Sequence, residues 1–288
     1  MRLTDPKKAD MIIYHANCTD GFGAAWAAWK LLGDGATYHP VHHKEPPPSV
    51  LSRNVVLVDF CYSRDTMLLL ESEAQSILVL DHHKSSQTDM AGLPFSHFDM
   101  NHSGAALSWM FFHPNKPIPQ LIQLIEDRDL WNWKLPLSKE FSAAFGDTPH
   151  TFQNFDAFLN PEVITEAQVR GSYILDYNQK VVERLCKRAT VHRISGLTVA
   201  VVNSPILGSE IGSVLAEEHD FSIVWWWDHR TKQVRASLRS RPDGADVSEI
   251  ARRWGGGGHR AASGMSLEPG VSIETIFDAL PEMNQVTL

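Results

Sequence analysis

"LVLDHHKSS" (Leu78–Ser86) is an apolar run that stops at an acid and two histidines. With Ile77 ahead of it, the run is continuous from Ile77 to Leu80 rather than alternating. A short unbroken apolar run suits a strand buried on both faces, as in a parallel sheet covered by helices. Two earlier stretches behave the same way. "MIIYH" (11–15) leads into "TDGFGAAWAAWKLL", a glycine turn opening an Ala/Trp-rich helix, and "NVVLVDF" (54–60) leads into the helical "RDTMLLLESEA". Strands alternating with helices predict an α/β fold with a parallel sheet and helices on both faces.

Each of the three strands delivers polar groups at its carboxyl end. The first gives His15 and, in the following turn, Asp20; the second gives Asp59; the third gives Asp81, His82 and His83. Ligands of open parallel sheets bind at that edge. By itself an Asp after a strand reads as a turn residue or a helix cap. Three strand ends doing so together point to one crevice. Clustered carboxylates repel one another and resist burial, and divalent cations remove that cost. Mixed oxygen and imidazole donors suit Mn²⁺, with Mg²⁺, Co²⁺, Fe²⁺ or Zn²⁺ as relatives. Two ions sharing a carboxylate, roughly 3.5–4 Å apart with an activated water, are equipment for phosphate-ester hydrolysis.

Further along, "SGAALSWMFF" (103–112) and "PIPQLIQLIEDRDL" (117–130) read as helices, and a longer helical pattern covers roughly 162–190. The strand–helix pattern then restarts with "LTVAVVNS" (197–204), the helical "GSEIGSVLAEEH", a hairpin turning near Asp228–Lys232, and the helical "DVSEIARRW". The expected organisation is a domain over 1–160, a helical linker over 161–193, and a smaller α/β domain over 194–288. The segment "YHPVHHKEPPPSV", with His39, His42 and His43, reads as a surface loop because three prolines follow one another.

Near the end lies "GGGGHRAASG" (255–264). Four glycines carry an entropic cost unless the backbone approaches something closely, and consecutive N–H groups can form an anion nest. His259, Arg260 and the same-face pair Arg235 and Arg239 add donors, which gives a local basic pocket. Elsewhere, "WWW" (225–227) is a strand with at least one ring in the core, and Trp131 and Trp133 are candidate pocket walls.

Composition limits the functions. The chain has 288 residues, 43% of them hydrophobic and 21% charged, as expected of a globular protein. Three cysteines, far apart and odd in number, form no disulfide framework. No apolar stretch is long enough for a bilayer and none reads as a leader, so the expectation is a cytoplasmic protein with no membrane partner. A net charge of −8 disfavours coating long nucleic acid and leaves a short anionic substrate admissible.

Taken together, "YHANCTDGFGAAW", "LVDF", "VLDHH", "HSGAALSW" and "GGGGHRAASG" occur in the order found in DHH-family phosphoesterases with a C-terminal DHHA1 substrate-binding domain. The resemblance covers nearly the whole chain and is nearest in layout to the short-oligonucleotide hydrolases, or nanoRNases. It implies a DHH catalytic domain, two bound ions with Mn²⁺ foremost, and a short nucleic acid or small phosphorylated nucleotide as substrate; a homodimer is an admissible assembly. His15, Asp20, Asp59 and His82 would be metal ligands, with Asp59 bridging both ions. Asp81 would orient His82 or support it from behind, and His83 would face the scissile phosphate. "IEDRDLW" offers Asp127 or Asp129 as a late acid, with Asp127 preferred. Ser103 and Gly104 would meet phosphate through backbone N–H groups. Arg239, Gly256, Gly257, Gly258 and His259 would grip the substrate. The chain departs from the family where "CTDG" replaces Asp-x-Asp-Gly. Either Cys18 is a ligand, softer than an acid and favouring Zn²⁺, or one metal position lacks a ligand. Polyphosphate or cyclic-dinucleotide hydrolysis, and a nucleotide sensor with a degenerate metal site, are the rival readings.

Overall fold

A computed structural model describes residues 2–42 and 45–277, so His43 lies outside the described residues. The chain divides into two compact units, Met1–Asp176 and Tyr177–Leu288.

The first unit is built on strands β1 (Met11–His15), β2 (Thr37–Val41), β3 (Asn54–Val58), β4 (Ser76–Asp81) and β5 (Ser96–Phe98). They form one sheet in the order β2-β1-β3-β4-β5, every pair parallel. The apolar runs at its centre are buried on both faces. Met11, Ile13, Val55, Leu57, Ile77 and Val79 pack toward Met67 and Leu70 of α2 (Arg64–Glu73). Their neighbours Ile12, Val56, Val58, Leu78 and Leu80 pack toward Ala24 and Ala28 of α1 (Thr19–Leu32) and toward Leu107 and Phe112 of α4 (Gly104–Phe112). That period of two explains why the strands read as unbroken apolar runs. A short α3 (Lys84–Asp89) follows β4.

A second apolar layer joins α1 and α4 to α5 (Gln120–Asp129), α6 (Ser138–Phe145), α7 (Phe152–Ala157) and the start of α8 (Pro161–Cys186). Its centre is Trp26, fully buried and stacked on Trp109 at 5.7 Å between ring centroids. At Gly171 in α8, an added Cβ would lie 1.6 Å from the Glu140 carbonyl oxygen, so α6 and α8 meet where no side chain fits.

The "YHPVHH" segment is not wholly loop, for Thr37–Val41 pairs with β1. Edge position is the physical reason, since an edge strand tolerates a proline whose missing N–H faces away from the sheet. Helices α6 and α7, and strand β5, are further elements that the periodicity of the sequence did not announce.

The second unit holds β6 (Thr190–Ile194), β7 (Leu197–Asn203), α9 (Gly208–Ala216), β8 (Phe221–Asp228), β9 (Gln233–Arg239), α10 (Val247–Arg252), β10 (Gly257–Gly258) and β11 (Ala262–Ser266). Its mixed sheet runs β10-β11-β9-β8-β7-β6. One face packs on Val247, Ile250 and Ala251 of α10, the other on Ile211 and Leu215 of α9. Both units are therefore α/β, and the first carries the parallel sheet.

Candidate metal centre

The carboxyl edge of the parallel sheet gathers the strand-end residues. His15 closes β1, the chain turns through Asn17 at φ 55°, and Cys18 becomes the N-cap of α1. The Cys18 side chain makes no capping hydrogen bond. Gly21 is a steric necessity in this turn, because an added Cβ would sit 2.4 Å from the His15 carbonyl oxygen.

Asp59 follows β3 in the left-handed region, at φ 56°, which only Gly, Asn and Asp adopt readily. Its N–H still donates to the Leu80 carbonyl, so the turn is pinned to β4 while the carboxylate swings into the cluster. Its two oxygens face different partners. Oδ2 lies 3.6 Å from His15 Nδ1, and Oδ1 lies 3.2 Å from His82 Nε2.

Asp81, His82 and His83 divide their roles. Asp81 Oδ1 accepts from the backbone N–H groups of His82 and His83 and contacts His83 Nδ1 at 2.7 Å. The expectation that Asp81 orients His82 is therefore corrected: its carboxylate holds the His83 ring and reaches His82 only at the backbone N–H, whereas the ring of His82 is oriented by the acids it meets. His82 Nε2 lies 3.2 Å from Asp59 Oδ1, 3.5 Å from Asp129 Oδ2 and 3.6 Å from Asp20 Oδ2.

Asp20 also clasps the start of α4. Its Oδ2 accepts from Gly104 N–H at 2.6 Å and its Oδ1 from Ala105 N–H at 3.0 Å. Ser103 N–H donates to Glu126 Oε2, and the Ser103 hydroxyl accepts from Ala106 N–H. The expectation that Ser103 and Gly104 offer N–H groups to phosphate is therefore corrected: carboxylates of the chain take those donors. Gly104 serves close packing instead, since an added Cβ would fall 2.5 Å from the Asp59 Cβ.

The preference for Asp127 as the late acid is also corrected. Asp127 accepts from Lys134 and Leu135 N–H through its carboxylate, and from Asn132 N–H through its carbonyl, which holds the loop after α5. Asp129 is the residue whose carboxylate reaches His82. Both continue buried positions one turn earlier, Leu124 and Ile125, so helical period alone does not choose between them.

Burial makes the cluster electrostatically demanding. Asp20, Asp59, Asp81 and His82 are each at most 2% exposed. Burial and the charges of Asp59 and Asp129 hold the Asp20 carboxyl well above its usual range, and burial likewise raises Asp129. Burial works against ionised Asp59 as well, but the imidazoles of His15, His82 and His83 together bring it well below. Burial opposes protonation of His82, yet Asp59, Asp129 and Asp20 push it up to about 10. His83 is opposed by burial and raised to about 9 by Asp81 and Asp59. Burial, then Asp59, Asp129 and Asp20, push the Cys18 thiol far up. These acids cannot all ionise together without added positive charge.

The donor set fits a divalent cation. Asp59 Oδ2 and Asp129 Oδ2 are buried oxygens that accept no hydrogen bond. Three groups in this unit, His15–Cys18–Asp59, Asp20–Asp59–His82 and Asp59–Asp81–His83, each bring their ligand atoms within 4.8 Å of one another, and Asp59 belongs to all three.

In the second unit, the Arg239 guanidinium donates to Ser237 Oγ, the Leu238 carbonyl and Ser209 Oγ. Arg235 meets Asp228 at 3.1 Å, and Arg260 meets Asp246 at 3.6 Å. The glycine run does not present a row of unused N–H groups. Gly255 N–H donates to Arg252 O, Gly256 N–H to Ala251 O, and His259 N–H to Ala262 O, while Gly257 and Gly258 stand opposite Gly264 and Ser263 in the register of β10 and β11. The glycines are there for backbone approach: a Cβ at Gly256 would lie 2.1 Å from Gly264 O.

A parallel sheet whose carboxyl edge carries Asp59, Asp81, His82 and His83, followed by a second α/β unit, is the fold of the DHH-family phosphoesterases, and this chain shares that fold. Its relatives are particular. Over 93% of its length it is 31% identical to the uncharacterized protein R106 of Acanthamoeba polyphaga mimivirus, covering 71% of that protein. Over 54% of its length it is 26% identical to the oligoribonuclease NrnB of Bacillus subtilis, covering 41% of that protein. The RecJ structure from Thermus thermophilus in complex with Mn²⁺ shares the fold, with a TM-score of 0.52 at 15% identity over 92% of this chain and 50% of that one. No protein-family model matches the chain. Among the described residues, no helix is long and apolar enough to cross a membrane.

Proposed function

We propose that the protein is a divalent-metal-dependent phosphoesterase that hydrolyses short oligonucleotides or small nucleotide phosphoesters. The observation that carries this reading is the convergence of Asp20, Asp59 and His82, all buried, within 4.8 Å of one another. His15, Cys18, Asp20, Asp59, His82 and Asp129 would hold the metal, with Mn²⁺ the first candidate. Bound divalent cations supply positive charge to phosphoryl oxygens and make water a stronger acid.

The remaining chemistry belongs to the chain. Asp81 fixes the His83 ring, which donates to a non-bridging phosphoryl oxygen as charge develops there. Packing of Gly21 and Gly104 against the cluster holds the acids in place without admitting a side chain. In the second unit, any substrate contact by Arg239 and the Gly256–His259 segment would come from the Arg239 and His259 side chains, since the N–H groups of Gly256 and His259 are taken within the chain. The acidic net charge of −8 favours a short substrate over a long polyanion, and the oligoribonuclease NrnB is a relative by sequence.

The test is a turnover panel with chelator-treated, Mn²⁺-restored protein, from dinucleotides, bisphosphonucleosides, cyclic dinucleotides and polyphosphate to oligomers of roughly 20 nucleotides. The highest kcat/KM is expected on the shortest oligonucleotides. An Asp59→Asn protein that kept the wild-type rate in excess chelator would refute the reading. Metal analysis separates it from a nucleotide sensor: about two ions per chain support hydrolysis.

A further inference from the structure

Cys18 occupies a position where Ser, Thr, Asp or Asn would cap a helix through a side-chain oxygen, but its sulfur makes no regular capping hydrogen bond and is met only weakly by the Gly21 N–H. Its sulfur instead lies within 4.8 Å of a His15 ring nitrogen and an Asp59 oxygen. Asp20, two residues on, belongs to a different group, with Asp59 and His82, and both its oxygens are fixed by the N–H groups of α4. Asp59 stands between the two groups with one oxygen toward each, Oδ2 at 3.6 Å from His15 and Oδ1 at 3.2 Å from His82. The cluster is therefore asymmetric in donor chemistry. One side offers imidazole, sulfur and a carboxylate oxygen; the other offers two carboxylates and an imidazole.

We propose that Cys18 makes two ion positions chemically unequal: the His15–Cys18–Asp59 group takes a thiophilic ion such as Zn²⁺ or Co²⁺, and the Asp20–Asp59–His82 group takes a harder ion such as Mn²⁺ or Mg²⁺. This rests on the metal-dependent reading above and adds to it which ion goes where. Thiolate favours Zn²⁺ and Co²⁺ over Mn²⁺ and Mg²⁺, whereas carboxylate-rich sets accept the harder ions. Loading the first position forms a metal–sulfur bond and releases the thiol proton to solvent. Cys61 and Cys186 belong to no such group among the described residues, so a sulfur signal reports Cys18.

The test titrates chelator-treated full-length protein with Co²⁺ and follows the near-ultraviolet thiolate-to-cobalt absorption. The band is expected with the first equivalent, is retained in Cys61→Ser and is lost in Cys18→Ser. Zn²⁺ should abolish it by displacing one Co²⁺, after which Mn²⁺ should bind the other position, read by its paramagnetic resonance. Cys18→Asp should lose the band and tighten Mn²⁺ binding about tenfold or more. Wild type that binds Co²⁺ without the band, or a band that survives in Cys18→Ser, overturns the proposal. Should Cys18→Ser fail to fold, zinc-edge absorption of the wild type decides: a sulfur shell near ~2.3 Å supports it and an all-nitrogen/oxygen shell overturns it. Turnover is scored separately. A protein with the sulfur signature that cleaves no phosphoester refutes the hydrolase reading alone; one that cleaves but shows no sulfur ligand refutes only this inference.

Discussion

Replacing Asp129 with Asn removes one of three carboxylates around His82 Nε2, so Mn²⁺ affinity, measured by calorimetry, should fall by about 10–100-fold with little loss of stability. Asp127→Asn should do the reverse. It loosens the loop held at Lys134 and Leu135, which should cost about 1–3 kcal/mol in denaturant unfolding while metal affinity holds. Asp59→Asn keeps a side chain that tolerates the left-handed backbone at φ 56°. It should therefore fold and yet lose about 10³-fold in kcat/KM, close to 4 kcal/mol. At this scale the sequence was legible where a residue's place follows from its strand: His15, Asp59, Asp81 and His82 stand at the edge that their apolar runs predicted. It was not legible where two acids share one helix end, because the following loop decides which carboxylate is captured. Nor could it show that the N–H groups of Ser103 and Gly104 are already taken, since those partners are 23 and 84 residues away.

Elements depend on contacts that leave no room for substitution. Gly171→Ala would drive a Cβ into the Glu140 carbonyl and push α8 from α6. A loss of about 1–3 kcal/mol is expected, visible as a lower Tm. Gly104→Ala attacks the start of α4 against Asp59, and should lower both Tm and metal affinity, whereas Gly33→Ala, with open space around it but φ 57°, should touch stability alone. The central strands announced themselves because both faces are buried. The edge strands β2 and β5 did not, since their exposed positions and Pro40 break the apolar pattern. Helices α6 and α7 escaped for their brevity, at 8 and 6 residues. The glycine run was noticed for the right reason, close approach, but what approaches Gly256 is the backbone of β11.

For the molecule as a whole, a metal bound to the buried acids should tie stability to its concentration. Saturation of one position at a hundred times its Kd should stabilise the fold by about 2.7 kcal/mol, seen as a Tm that climbs with Mn²⁺ and falls back with chelator. The net charge of −8 sets the response to salt. A long oligonucleotide is repelled at low ionic strength, so its kcat/KM should rise with added salt, while that of a dinucleotide should change little. A fall for the long substrate would point to a basic track that the charge balance conceals. Composition foretold this acidity. The compact units divide after Asp176, inside α8 and at neither end of the linker expected over 161–193, and Thr190–Ile194 of that stretch is strand β6, because the long helix packs its first turns on the first unit.

Asp20 joins α1 to the first turn of α4 while belonging to the acidic cluster, so one carboxylate is both a structural rivet and a member of the proposed metal centre. Loss of the carboxylate at this position would consequently be felt in the fold as well as in the cluster. A lineage that relinquished catalysis and kept the protein would still have to retain an acid here, and Asp20 alone would be a poor witness that its activity survives.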